Sequence, residues 1–266
     1  MNNKYYTLLI LGIVLLSDIF IATKLNASHD ALGLYAAMNR VNISYFHMIF
    51  ICVSIGLLLA REYSLYHSKY DELIINRVGN DNFLRKKILG CFTKFFIYRF
   101  LLDFSLIVVI HFFIYKINFA RPITFNIFNH SLHSFFWKSE PISIFMYLIL
   151  ASIGTGIFAT FIFLLIDYIK NKYVYICLPL ILQFFSILTI FLLCGLLSTI
   201  TGLRIGAGFN HYITYLSYFY APVAILFPGM MFENLVVFNS IFSNLFYLIV
   251  IFILYKSVLN KRKRYG

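Results

Sequence analysis

The chain has 266 residues, 61% of them hydrophobic and only 12% charged. A water-soluble domain carries roughly a quarter charged residues, so the composition excludes one and points to an integral membrane protein. The net charge of +12 does not indicate a nucleic-acid partner, because the basic residues sort by side of a membrane.

Six segments are apolar over about the 20 residues that a spanning helix needs: 5–23, 43–60, 97–115, 142–166, 173–200 and 236–256. Continuous apolar runs predict helices; a β-barrel would show ~10-residue alternating segments. The expected fold is therefore all-α, one polytopic membrane domain over 1–266. The first span lacks a small-residue cleavage site and is read as a permanent helix. Segment 24–42 is a short outer loop. The third span carries Asp103 four residues after Arg99, a spacing that lets the two pair on one helix face. Outer segment 116–141 carries the turn signals Arg121-Pro122 and Glu140-Pro141, and the only Trp, Trp137, as an interface anchor. In the fourth span Ser152, Gly156 and Thr160 lie four apart beside Ala151, Thr155 and Ala159, two small-residue stripes expected to pack tightly on a neighbouring helix. Loop 167–172 is so short that it forces the fourth and fifth spans into an antiparallel hairpin. Segment 201–235 is apolar but broken by Gly202, Gly206, Gly208, Pro222, Pro228 and Gly229. It could pass for a seventh span at about 212–227, but that would put the basic tail outside, against the charge pattern, so it is expected to form one or two short helices that dip into the outer leaflet and return.

With the N-terminus inside, sixteen Lys and Arg fall on the inner side, Arg99 among them. Six fall outside: Lys24, Arg40, Lys116, Arg121, Lys138 and Arg204. That asymmetry is the positive-inside pattern. It places both termini in the cytoplasm and the chain in the cell membrane. The basic tail Lys261–Arg264 is expected to hold the last helix end against anionic headgroups. The four cysteines, Cys52, Cys91, Cys177 and Cys194, form no CxxC and no outer-loop pair, so structural disulfides are not expected.

Chemistry-bearing motifs are sparse. No phosphate-binding G-x-x-x-x-G-K-[ST], no H-E-x-x-H and no G-x-S-x-G occurs. This chain is not expected to bind a cofactor or a metal; His130 and His133 form only an isolated H-x-x-H. Ionisable groups in spans need a reason to be there. Asp18, Asp103 and Glu233 are scattered through the sequence and are not expected to converge on an acid–base pair. His111 and Gln183 are expected to bond between helices.

Loop 61–96 is the one inner loop long enough to hold structure. Residues 69–88 carry eight charges: Lys69, Asp71, Glu72, Arg77, Asp81, Arg85, Lys86 and Lys87. "SKYDELIINRVG" predicts a short helix with Asp71 and Glu72 in its first turn, Arg77 in its last, and Gly79 as its stop. Asn80 or Asp81 then caps a second helix that runs on into the third span.

The stretch "REYSLYHSKYDELIINRVGNDNFLRKKI", the hairpin "DYIKNKYVYICLPLIL" with Asn171, Lys172, Tyr173 and Pro179, and the broken outer segment "LSYFYAPVAILFP" together resemble the membrane subunit of an ABC transporter of the type-2 exporter permease class. The similarity covers most of the chain. It departs from the family at the N-terminus, where about four residues replace the usual interfacial helix. The resemblance implies a transport subunit without its own ATPase motif. A separate ATP-binding ABC subunit carrying ATP and Mg would dock on a coupling helix at Tyr70, Asp71, Glu72, Leu73, Ile74, Arg77 and Gly79. A second permease subunit, identical or not, would complete the membrane part, embedded in lipid. The cargo would be a hydrophobic or amphipathic molecule, moved outward. Two other classes stay open: an immunity or scaffold protein binding a peptide at the outer surface, and a membrane-embedded enzyme.

Overall fold

The computed structural model describes residues 3–24, 34–35, 41–67, 79–114, 140–201, 220–228 and 236–265. The elements are α1 (Asn3–Lys24), α2 (Val41–Tyr66), α3 (Asn80–Phe113), α4 (Glu140–Leu164), a 3₁₀ turn (Leu165–Asp167), α5 (Lys172–Thr201), the short α6 (Pro222–Leu226) and α7 (Val236–Tyr265). There is no strand among the described residues. Helices α2, α3, α4, α5 and α7 are long and apolar enough to cross a membrane, and α1 contributes a shorter apolar stretch, Tyr5–Phe20. Helix is the form that lets an isolated segment satisfy its own backbone in lipid.

Helix α3 packs along α4, α2 along α5, and α7 on α4. Helix α1 lies across α2 and α3, and α6 seats on α4, α5 and α7. Two of these contacts depend on glycine. A Cβ at Gly56 of α2 would lie 1.9 Å from the Ile176 carbonyl oxygen of α5, and one at Gly154 of α4 would lie 1.8 Å from the Ile225 carbonyl oxygen of α6. The small-residue stripes of α4 are buried as expected. Their hydroxyls turn back on their own helix: Ser152 donates to the Leu148 carbonyl, Thr155 to Ala151 and Thr160 to Gly156. The stripe thus offers a flat apolar surface rather than polar partners. Outward faces of α1, α5 and α7 expose Leu16, Phe20, Phe185, Leu188, Ile249 and Ile253. Lipid tails are as apolar as these side chains, so such faces need no protein cover.

One end of the bundle carries most of the described cations and is knitted across helices. Lys87 of α3 pairs with Glu62 of α2 at 3.0 Å. Tyr63 of α2 donates to the Lys170 carbonyl. Asn171 caps α5, its Oδ1 accepting from the backbone N–H of Tyr173 and Val174. The tail of α7 folds onto this end: Lys261 donates to the Asp167 carbonyl at 2.8 Å, Arg262 pairs with the Asp167 carboxylate at 3.7 Å, and the Arg262 guanidinium lies over the Tyr66 ring at 5.1 Å. Lys261 and Arg262 thus engage the protein's own turn, because Asp167 and two tyrosine faces lie within their reach.

Helix α3 starts differently from its expected cap. Its N-cap is Gly79, at φ 83°, with no side-chain cap bond. Only glycine takes that backbone conformation without a steric cost. Asp81 falls inside the first turn instead, where its carboxylate accepts from the Tyr255 hydroxyl and pairs with Arg85 at 3.0 Å.

Candidate functional site

Away from the basic end, four ionisable side chains from three helices meet in the apolar interior. Asp18 comes from α1, His47 from α2, and Arg99 and Asp103 from successive turns of α3. All four are at most 3% exposed. His47 Nδ1 donates to Asp18 Oδ1 at 2.8 Å, and its Nε2 faces Asp103 Oδ1 at 3.7 Å. Arg99 Nε donates to Asp103 Oδ2 at 2.7 Å. The predicted Arg99–Asp103 pair is thus present. The expectation that the carboxylates would not converge is overturned, because His47 bridges Asp18 to Asp103. Arg99 is also not an inner-side cation: it is fully buried within the bundle.

Phe227, just after α6, closes the cluster. Its ring lies 4.7 Å from the Arg99 guanidinium carbon and meets the His47 ring edge-to-face at 5.4 Å. Tyr35 and Tyr147 stand edge-to-face at 6.3 Å and lie within electrostatic reach of Arg99. A cation over an aromatic face gains more where water is excluded. Arg99 also has two terminal nitrogens with no hydrogen-bond acceptor among the described residues.

The charges nearly balance. Two carboxylates face one guanidinium and one imidazole. An imidazole with N–H on both nitrogens offers a donor to each carboxylate and brings the cluster to neutrality. A net charge in the membrane interior is expensive. Chemically, the arrangement can hold a proton between two carboxylates and can lock α1, α2 and α3 together. It does not present a nucleophile: no Ser, Thr or Cys bonds to His47 among the described residues.

Of the residues expected to dock an ATPase, Tyr70, Asp71, Glu72, Leu73, Ile74 and Arg77 lie outside the described residues, as do His130, His133, Trp137 and Glu233. Gly79 is described, at the start of α3. Gln183 is buried, but its amide has no partner among the described residues, so the interhelical bond expected of it is not made there. His111 stands edge-to-face with its neighbour Phe112 at 5.0 Å. Cys52, Cys91 and Cys177 are free thiols.

Sequence reasoning missed His47. One signal was available: Asp18 lies five residues before the end of span 5–23 and His47 four after the start of span 43–60. Consecutive spans run antiparallel, so these two positions share a depth. Comparison with family models, curated proteins and solved structures gives no match.

Proposed function

We propose that this chain is the transmembrane subunit of an ATP-driven transporter, powered by a separate ATPase subunit and working beside a second permease subunit. The single observation that carries the proposal is α3, one unbroken helix of 34 residues from Asn80 to Phe113, beyond the charge cluster. At 1.5 Å per residue it is about 50 Å long, longer than the ~30 Å hydrocarbon core. It joins the polar loop that resembles a coupling helix to the ion pairs that hold α1 and α2. A push on Tyr70–Gly79 would travel along a rigid rod. Its far end cannot move past α1 and α2 without rearranging the Asp18–His47–Asp103–Arg99 contacts. Such contacts, made in one state and altered in another, are what a two-state device requires.

In this reading the basic end faces the cytosol, as the positive-inside pattern suggests. Helix α1 serves as a sixth span, and the segment around α6 enters the outer leaflet and returns. The cargo is hydrophobic or amphipathic and moves outward; ATP and Mg belong to the partner. The test is the double substitution Leu73→Asp with Ile74→Asp. It should leave the subunit folded in the membrane and abolish co-purification of an ATPase encoded beside it. Unchanged co-purification would refute the docking role.

A second reading, a membrane-embedded enzyme, draws on the Asp18–His47 bond, which has the geometry of a base oriented by a carboxylate. Here Nε2 faces Asp103 rather than a nucleophile, so catalysis would need a different conformation. Turnover by the purified chain without ATP would favour it over transport.

A further inference from the structure

A cavity of about 340 Å³ opens at the basic end between α2, α3 and α4. That is about ten times the ~30 Å³ share of one water molecule. Lys86, Lys87 and Lys94 line it together with Glu62. Lys87, Gly90, Cys91 and Lys94 follow helical spacing, so they form one stripe of α3. Glu62 is already engaged by Lys87 at 3.0 Å. Lys94 is half-buried; its amine has a weak contact with the Leu58 carbonyl at 3.4 Å and a ring neighbour, Phe95, at 5.5 Å. Lys86 makes no ion pair among the described residues. Among the described residues, Glu62 is the one carboxylate at this wall, and the Lys86 and Lys94 ammonium groups make no ion pair with it there. The remaining wall is apolar, from Leu59, Phe83, Phe95 and Phe163. Gly90 adjoins open space: a Cβ there would meet nothing within 4 Å.

We propose that this cavity binds a phosphate-ester anion, seated as the headgroup of an anionic phospholipid. A half-buried cation held only by a weak carbonyl contact gains from an anion that reaches it. Basic pockets between spanning helices on the cytoplasmic side suit anionic headgroups, and the apolar wall suits the glycerol and first acyl carbons. The site is separate from the charge cluster and does not rest on the transport proposal.

The test is native mass spectrometry of the full chain in detergent, titrated with an equimolar mixture of phosphatidylglycerol and phosphatidylcholine. The unmodified chain should retain phosphatidylglycerol preferentially. Lys94→Met should lower that retention about fivefold, the effect expected of one basic residue near a charged headgroup. Gly90→Met should lower it comparably by filling the space while leaving every charge in place, and Lys94→Arg should restore most of it. Lys256→Gln, which removes a cation of α7 outside the cavity, should leave it unchanged. Should Lys94→Met fail to fold, Gly90→Met and Lys86→Gln carry the test. Free glycerol phosphate distinguishes the sources: competition with the lipid assigns the cavity to soluble phosphate esters as well, and no competition assigns it to lipid. No preference for phosphatidylglycerol, an equal loss with Lys256→Gln, or full retention in Gly90→Met would overturn the proposal.

Discussion

Helix α3 carries two Arg–Asp pairs at the same four-residue spacing, in opposite surroundings. Asp81 and Arg85 pair at 3.0 Å with side chains 48% and 68% exposed; Arg99 and Asp103 pair at 2.7 Å with both at 0%. The first pair is one contact in a wet network with Tyr255. Water can replace either partner, so such a pair decides little. The second has no water to fall back on. It is tied through His47 to Asp18, and each member keeps another from being a bare charge in an apolar interior. Identical local chemistry therefore serves as surface finish at one end of the helix and as a joint between three helices further along.

The largest effect should come from Asp103→Ala, which strands Arg99 and removes the carboxylate facing His47 Nε2. Breaking a buried pair from one side costs about 3–5 kcal/mol, and the purified protein should show a large fall in apparent Tm or fail to accumulate in the membrane. Replacing both partners, Arg99→Met with Asp103→Leu, should recover part of that loss, since no lone charge remains. A double mutant no better than Asp103→Ala alone would contradict the pairing as the source.

Asp18→Ala should cost less, about 1.5–3 kcal/mol, the range for a hydrogen bond to a charged group, because His47 still faces Asp103. Thermal unfolding in nanodiscs checks it; a loss larger than that of Asp103→Ala would invert the proposed hierarchy. Gly154→Ala tests the seat of α6, which carries Phe227 over the cluster. Its Cβ would meet the Ile225 carbonyl, and overpacking of this kind costs about 1–3 kcal/mol. Unfolding should shift accordingly, and limited proteolysis within residues 220–228 should quicken. The smallest effect belongs to Arg85→Gln, which should leave the apparent Tm unchanged within error. A clear loss there would erase the contrast between the two pairs.

Much of the fold was legible because each span is specified locally. A run of about 20 apolar residues must become a helix in lipid whatever its neighbours do, and all six predicted segments are helical in the structure within a few residues at most boundaries. The Arg99–Asp103 pair was legible for the same reason, since both partners sit on one helix. The start of α3 was misjudged: Asn80 and Asp81 look like caps, but Gly79 takes that position through its backbone and frees Asp81 for Tyr255.

Composition and hydrophobic pattern by themselves determined an all-helical membrane chain, the helix positions, and the sorting of Lys and Arg toward one end. Those follow from the cost of exposing backbone and charge to hydrocarbon, which each segment meets alone. Tertiary structure alone decided that Asp18, His47 and Asp103 share one site, that Lys86, Lys87 and Lys94 line a cavity with Glu62, and that α6 seats against Gly154. Each depends on which faces of separate helices meet. Lipid, being as apolar as the helices, leaves that choice to close packing and to the pairing of a few buried charges.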